Sequence, residues 1–225
     1  MNRFFKDDAV VLFQGDSVTD CGRNRKLKAA KPGPMTKKSA KALGEGYPMV
    51  FKQIYDALFP GNKVTFVNRA VSGDKAEDLV RRFRDDFVKV KPDFISILIG
   101  VNDTWRDFDS HANQSPEQFR DQYKILLEGI KQELPDAQVL VIEQFACTSW
   151  EGLHDWQANL DAKRAYTREL ADAYAEYFIP MYDIMTAEPD RSGTPKEELY
   201  QDGVHPLRAG HNVLALEIMK GLNII

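Results

Sequence analysis

The chain predicts an α/β protein, a three-layer α/β/α sandwich around a sheet of five parallel strands. Two observations carry this. Short apolar runs alternate along the sequence with longer amphipathic stretches of helical period, the pattern that βαβ units leave. No repeat or low-complexity block interrupts the alternation, and 225 residues suit a single domain spanning 1–225.

The first strand is predicted at Ala9 to Gln14, where an apolar run breaks at Gly15 into Asp16, Ser17, Thr19 and Asp20. After it comes "KAAKPGPMTKKSAKALGEG", the one linker-like stretch, too near the start to separate two domains. Tyr47 to Leu58 places Val50, Ile54 and Leu58 on one helical face, and Pro60-Gly61 ends it. A second strand follows at Lys63 to Asn68. A helix over Ser72 to Val90 aligns Leu79, Val80, Phe83 and Phe87, with Pro92 beyond it, and a third strand runs from Asp93 to Ile99. Ser115-Pro116-Glu117 reads as an N-cap with proline in the first turn, opening a helix that Pro135 closes. Strands at Gln138 to Glu143 and Phe178 to Tyr182 flank a helix over Asp155 to Tyr177. Arg208 to Leu222 supplies the last helix.

Composition narrows the function classes. The longest apolar stretch, around Phe94 to Val101, is too short to cross a bilayer, so no membrane partner is expected. The opening residues carry acids where a secretory signal would be apolar, which predicts a cytoplasmic protein. Cys21 and Cys147 make no disulfide framework and no Cys/His cluster, so reduced thiols and no metal are expected. The formal charge of −4 is unevenly spread: Gly22 to Gly46 holds eight basic residues and one acid, +7, leaving −11 on the remainder. A solvated loop accounts for that run. Nucleic acid is excluded as a partner because the rest of the chain is acidic and no aromatics interleave with the lysines.

Ligand sites in open α/β sheets lie beyond the carboxyl ends of the strands. There the sequence is chemically unusual. Gly15-Asp16-Ser17 follows the first strand, "NRAVSGD" with Gly73 follows the second, and Gly100-Val101-Asn102-Asp103 follows the third. Asp202-Gly203-Val204-His205-Pro206 precedes the last helix. Serine needs a base within hydrogen-bond reach to act as a nucleophile, His205 is suited to that task, and Asp202 three residues before it can hold the imidazole.

These four segments, in this order, resemble the four blocks of the SGNH (GDSL-type) esterase and lipase family, and they cover nearly the whole chain. "GDSVTDCGR", "NRAVSGDKAEDL" and "ISILIGVNDTWRDF" are similar to the branch with bacterial acetyl xylooligosaccharide esterases. The resemblance implies a flavodoxin-like SGNH hydrolase fold, Ser17, Asp202 and His205 as catalytic residues, and an oxyanion hole from the backbone N–H groups of Ser17 and Gly73 with the Asn102 amide. It implies no cofactor and no metal, and relatives of this type often associate, so a homo-oligomer is expected.

The expected substrate is an acetylated oligosaccharide or another small acyl ester. Trp105, three residues after Asn102, is placed to wall a sugar site. Arg106 could orient a hydroxyl or pair with Asp109, and Tyr200, Trp150 and Trp156 lie on segments that could approach the rim. His111, His154 and His211 read as non-catalytic, and Asp16 as a brace for the Ser17 turn. Alternatives are a lysophospholipase or thioesterase with broader acyl tolerance, an acyltransferase, and a non-catalytic carbohydrate-binding module.

Overall fold

In the computed structural model, which describes residues 3–225, the apolar runs pair as expected. Strands β1 (Val10–Gly15), β2 (Thr65–Asn68), β3 (Phe94–Leu98), β4 (Gln138–Ile142) and β5 (Tyr177–Ile179) form one sheet of order β2-β1-β3-β4-β5. Every pairing is parallel. The helices are α1 (Ser17–Asp20), α2 (Lys37–Leu43), α3 (Tyr47–Leu58), α4 (Ala76–Arg81), α5 (Val101–Asp109), α6 (Pro116–Glu133), α7 (Gln157–Tyr174), α8 (Met181–Ser192), α9 (Lys196–Leu199) and α10 (Arg208–Gly221).

Because successive strand residues face opposite sides, Val11 and Phe13 pack with Phe51 and Tyr55 of α3 and Leu214 and Ile218 of α10. Leu12, with Ile95 and Ile97, enters the other layer beside Leu79 of α4, Phe119 and Leu127 of α6, and Leu170 of α7. Burial on both faces is why the strands read as unbroken apolar runs. The chain adds β2 on one side of β1 and then crosses back to add β3, β4 and β5 on the other, so the strand order switches between β1 and β3 and the crevice that suits a ligand lies at their carboxyl ends. Among the described residues no helix is long and apolar enough to cross a membrane, and none of their His, Cys, Asp and Glu side chains cluster in threes fit to hold a metal ion.

Several boundaries move for local reasons. Ser72 to Asp74 forms a turn with Gly73 at φ +90°, so the helix predicted from Ser72 starts at Ala76. It then breaks after Arg81 into a wide turn at Arg84–Val88, where Arg82 reaches both Asp74 and Asp86 while Phe83 and Phe87 stay paired. Pro180 stops the fifth strand early, so Tyr182 belongs to α8. A 3₁₀ turn at His154–Trp156 precedes α7. Nor is the basic segment a free loop: Ala30 is fully buried and bridges Phe66, and Thr36 caps α2, which buries Ala42 and Leu43. Its lysines face outward from a chain that is otherwise pinned.

Candidate active site

β1 delivers the serine. A Cβ at Gly15 would stand 2.2 Å from the Leu98 carbonyl oxygen, so only glycine lets the chain leave the sheet there. The next residue, Asp16, caps α1 by accepting the Val18 N–H at 3.0 Å, which is the brace the sequence suggests. Ser17 is thereby the first residue of α1, and its Oγ lies 2.9 Å from Nε2 of His205. Nδ1 of His205 lies 2.7 Å from Oδ2 of Asp202.

The acid and the base come from one self-closed loop. Tyr200 and Pro206 bridge, the Gln201 N–H donates to the His205 carbonyl at 2.8 Å, and Leu207 N–H donates to Leu199 at 2.8 Å. Oδ1 of Asp202 accepts the N–H groups of Val204 and His205 at 3.0 and 2.8 Å. Burial alone would raise the Asp202 carboxyl, but these donors and the imidazole outweigh it and hold it below the ordinary range. An ionised Asp202 fixes the proton on Nδ1, leaving the Nε2 lone pair for the serine hydroxyl.

Three further donors come from the residues that follow β1, β2 and β3. The backbone N–H groups of Ser17 and Gly73 donate to no protein group among the described residues. A Cβ on Gly73 would meet nothing within 4 Å, so its turn faces open space. Asn102, at the start of α5, spends one amide hydrogen on the Asp74 carbonyl at 3.0 Å and keeps the other. Such a set can take a proton from a hydroxyl and meet a developing oxyanion.

Beneath the site the charges are unusual. Burial pushes Asp16 up to about 7, helped by the nearby carboxylates of Asp103 and Asp74, and pushes Asp103 up to about 6. Asp103 accepts the Ala76 N–H at the head of α4. Lys163, fully buried on α7, donates to the Asp103 carbonyl at 2.6 Å and to Asp107 at 2.8 Å, tying α5 down. Sequence reading passed over Lys163, although it shares the apolar face of its helix with Leu160, Thr167 and Leu170. A lysine in such a stripe was the available signal.

The residues expected to touch substrate divide. Trp105 is half-buried on α5, with its ring 5.7 Å from the His205 ring and 5.4 Å from Trp156, against which Phe108 stacks. Arg106 lies over Trp105 and pairs with Asp109. Tyr200 is corrected: at 2% exposure it is a core residue, its ring against Phe145 and its hydroxyl toward the Met185 carbonyl, because the bridge to Pro206 turns it inward. Trp156 is buried too, and Trp150 packs against Gly203 in the acid–base loop. His211 stays out of the serine's reach; its Nδ1 accepts the Tyr47 N–H at 3.2 Å and its Nε2 faces Cys21 Sγ at 3.3 Å.

A flavodoxin-like sheet with a Ser–His–Asp chain at its carboxyl edge defines a hydrolase of the esterase class. Residues 13–213 match the model of the GDSL-like lipase/acylhydrolase family, and the chain belongs to that family. It is 29% identical over 212 residues to an acetylxylan esterase of Geobacillus stearothermophilus, covering 93% of this chain and 92% of that one. A crystal structure of an acetylxylan esterase from that organism superposes with a TM-score of 0.81 at 25% identity, over 96% of this chain and 95% of that one. A candidate GDSL-like lipase from Parabacteroides merdae superposes with a TM-score of 0.88 at 28% identity, over 98% of both chains. Catalytic mutants of the Geobacillus enzyme replace a serine, an aspartate and a histidine, the last two three residues apart, by alanine.

Proposed function

We propose that this protein removes acetyl groups from carbohydrate esters, acetylated xylooligosaccharides in the first instance, through an acyl-serine intermediate. The observation that carries the mechanism is the unbroken chain Ser17 Oγ, His205 Nε2, His205 Nδ1, Asp202 Oδ2, with contacts of 2.9 and 2.7 Å. As Ser17 Oγ bonds to the acetyl carbonyl carbon, His205 takes the hydroxyl proton, and the carbonyl oxygen becomes an anion facing Ser17 N–H, Gly73 N–H and the Asn102 amide. Collapse breaks the ester C–O bond, and the departing sugar oxygen receives the proton from His205. Water then gives a proton to His205 and attacks the acyl carbon; the bond from that carbon to Ser17 Oγ breaks, Oγ takes the proton back from His205, and acetate leaves.

Similarity to acetylxylan esterases supports the sugar-ester substrate. So does Trp105, an aromatic wall beside His205 on which a pyranose ring can stack. The test is acetate release from acetylated xylooligosaccharides. Wild type should release it readily, and Ser17→Ala should fold normally and lose about 1,000-fold or more in kcat. Cleavage of octanoyl esters as fast as acetyl esters would point to the broader lysophospholipase or thioesterase reading and overturn the substrate.

A further inference from the structure

The last residue of α1 holds the loop that carries Gly73. Asp20 is buried, and its Oδ2 accepts both the N–H and the Oγ–H of Ser72, at 2.9 and 3.0 Å. The same oxygen takes Arg25 from the basic segment at 2.6 Å, while Oδ1 faces Arg23 at 3.7 Å. Arg23 in turn donates to the Ala70 carbonyl at 2.7 Å, on the same loop. Burial alone would raise the Asp20 carboxyl; Arg25 and Ser72 outweigh it and hold it below the ordinary range.

What this fixes is a separation. Ser17 and Asp20 are the two ends of one helical turn, closed by the Asp20 N–H on the Asp16 carbonyl at 2.8 Å. Ser72 and Gly73 are consecutive, and Gly73 sits at φ +90°, a conformation its own side chain does nothing to enforce. Val71 N–H to the Gly15 carbonyl and Asn68 Nδ2 to the Thr19 carbonyl hold the approach to the loop, and Asn102 and Arg82 hold Asp74 on the carbonyl side of Gly73. The residue adjoining the Gly73 N–H is held by Asp20. Misplacing a preorganised group by about 1 Å can cost a hundredfold in rate.

Resting on the esterase reading above, we propose that Asp20 is a positioning residue: its carboxylate clamps Ser72 and so sets the gap between the Ser17 and Gly73 N–H donors. This also gives the start of the basic segment a task, since Arg23 and Arg25 hold the clamp.

The test compares Asp20→Asn and Ser72→Ala with wild type on a small artificial acetyl ester, with active sites counted by an organophosphonate that bonds to Ser17. Per counted site, kcat should fall about 10- to 100-fold in Asp20→Asn and by less in Ser72→Ala, where the N–H bond survives, with KM within about twofold. Inhibition by a boronic acid, whose serine adduct is tetrahedral, should weaken in step with kcat. A merely structural role would lower the number of sites and leave each at full speed. Should Asp20→Asn not fold, Ser72→Ala decides, since it leaves both arginines paired. Wild-type kcat per site in the folded variants, or a loss confined to KM, overturns the clamp alone. A wild type that neither cleaves acetyl esters nor reacts with the phosphonate overturns the esterase reading and the clamp with it.

Discussion

In the proposed reaction, Trp105 is the residue where chemistry and recognition would meet. Its ring packs against both His205 and Trp156 and stays half-buried, so part of a flat apolar surface remains open beside the catalytic base. An aromatic contact is worth about 0.5–1.5 kcal/mol. Trp105→Ala should therefore lower kcat/KM for acetylated xylooligosaccharides about 3- to 10-fold, mostly through KM, and change a small artificial acetyl ester by less than about twofold. Kinetics on the two substrates side by side check this; equal losses would assign Trp105 to His205 alone. At this scale the sequence was most readable where a residue lies in a short motif at a strand end: Ser17 follows β1, Gly73 follows β2, Asn102 follows β3, and Asp202 and His205 share the loop before α10. Tyr200 was not readable, because its inward turn depends on a bridge to Pro206 that forms only when the loop closes.

Among the elements, α5 matters most to the site, since it carries Asn102 and Trp105 and is anchored from beneath by Lys163 of α7. Removing one partner of a buried ion pair typically costs about 3–5 kcal/mol. Lys163→Met is expected to destabilise the fold by that order in denaturant unfolding and to lower kcat as Asn102 loses its footing; a variant as stable as wild type would show that the Asp103 and Asp107 contacts carry no weight. The sheet and the helices α3, α6, α7 and α10 were legible because each buries a regular apolar stripe. α5 was not, since "VNDTWRDFD" is mostly polar and buries Asn102, Asp103 and Thr104 through hydrogen bonds. α2 was hidden for a similar reason, with three lysines in seven residues and only Ser39, Ala42 and Leu43 buried. Local pattern reports apolar burial well and polar burial hardly at all.

For the whole molecule, buried titratable groups set opposing responses to pH. His211, its two ring nitrogens engaged by Tyr47 and Cys21, is pushed down to about 4, chiefly by burial. Its unfolded value of about 6.5 is higher, so the unfolded chain binds the extra proton between these values. Stability from His211 is then full above about pH 6.5 and lost as pH falls toward 4. Asp16 acts the other way: raised to about 7, it favours the fold most below its unfolded value near 3.9 and loses that contribution as pH rises through 7. Urea unfolding of wild type and His211→Gln at pH 4.5 and 7.5 separates the two. The variant's penalty should be larger at pH 7.5 by about 2–3 kcal/mol, and a penalty independent of pH would mean that His211 takes up a proton in the folded state.

The loop closed by the Tyr200–Pro206 bridge has a bearing on how such an enzyme can change over time. Asp202 and His205 hold each other through contacts that begin and end within seven residues, so their mutual geometry is inherited as one short cassette. Ser17, by contrast, meets His205 across 188 positions of chain. Insertions or deletions upstream, through α8 and α9, can accumulate without disturbing the acid–base pair, provided that the cassette is set down at the same height above the sheet. The cassette is seated on that upstream chain at two points, the Leu199 carbonyl that accepts Leu207 N–H and the Met185 carbonyl toward which the Tyr200 hydroxyl points, so those two residues are the ones such change would have to respect.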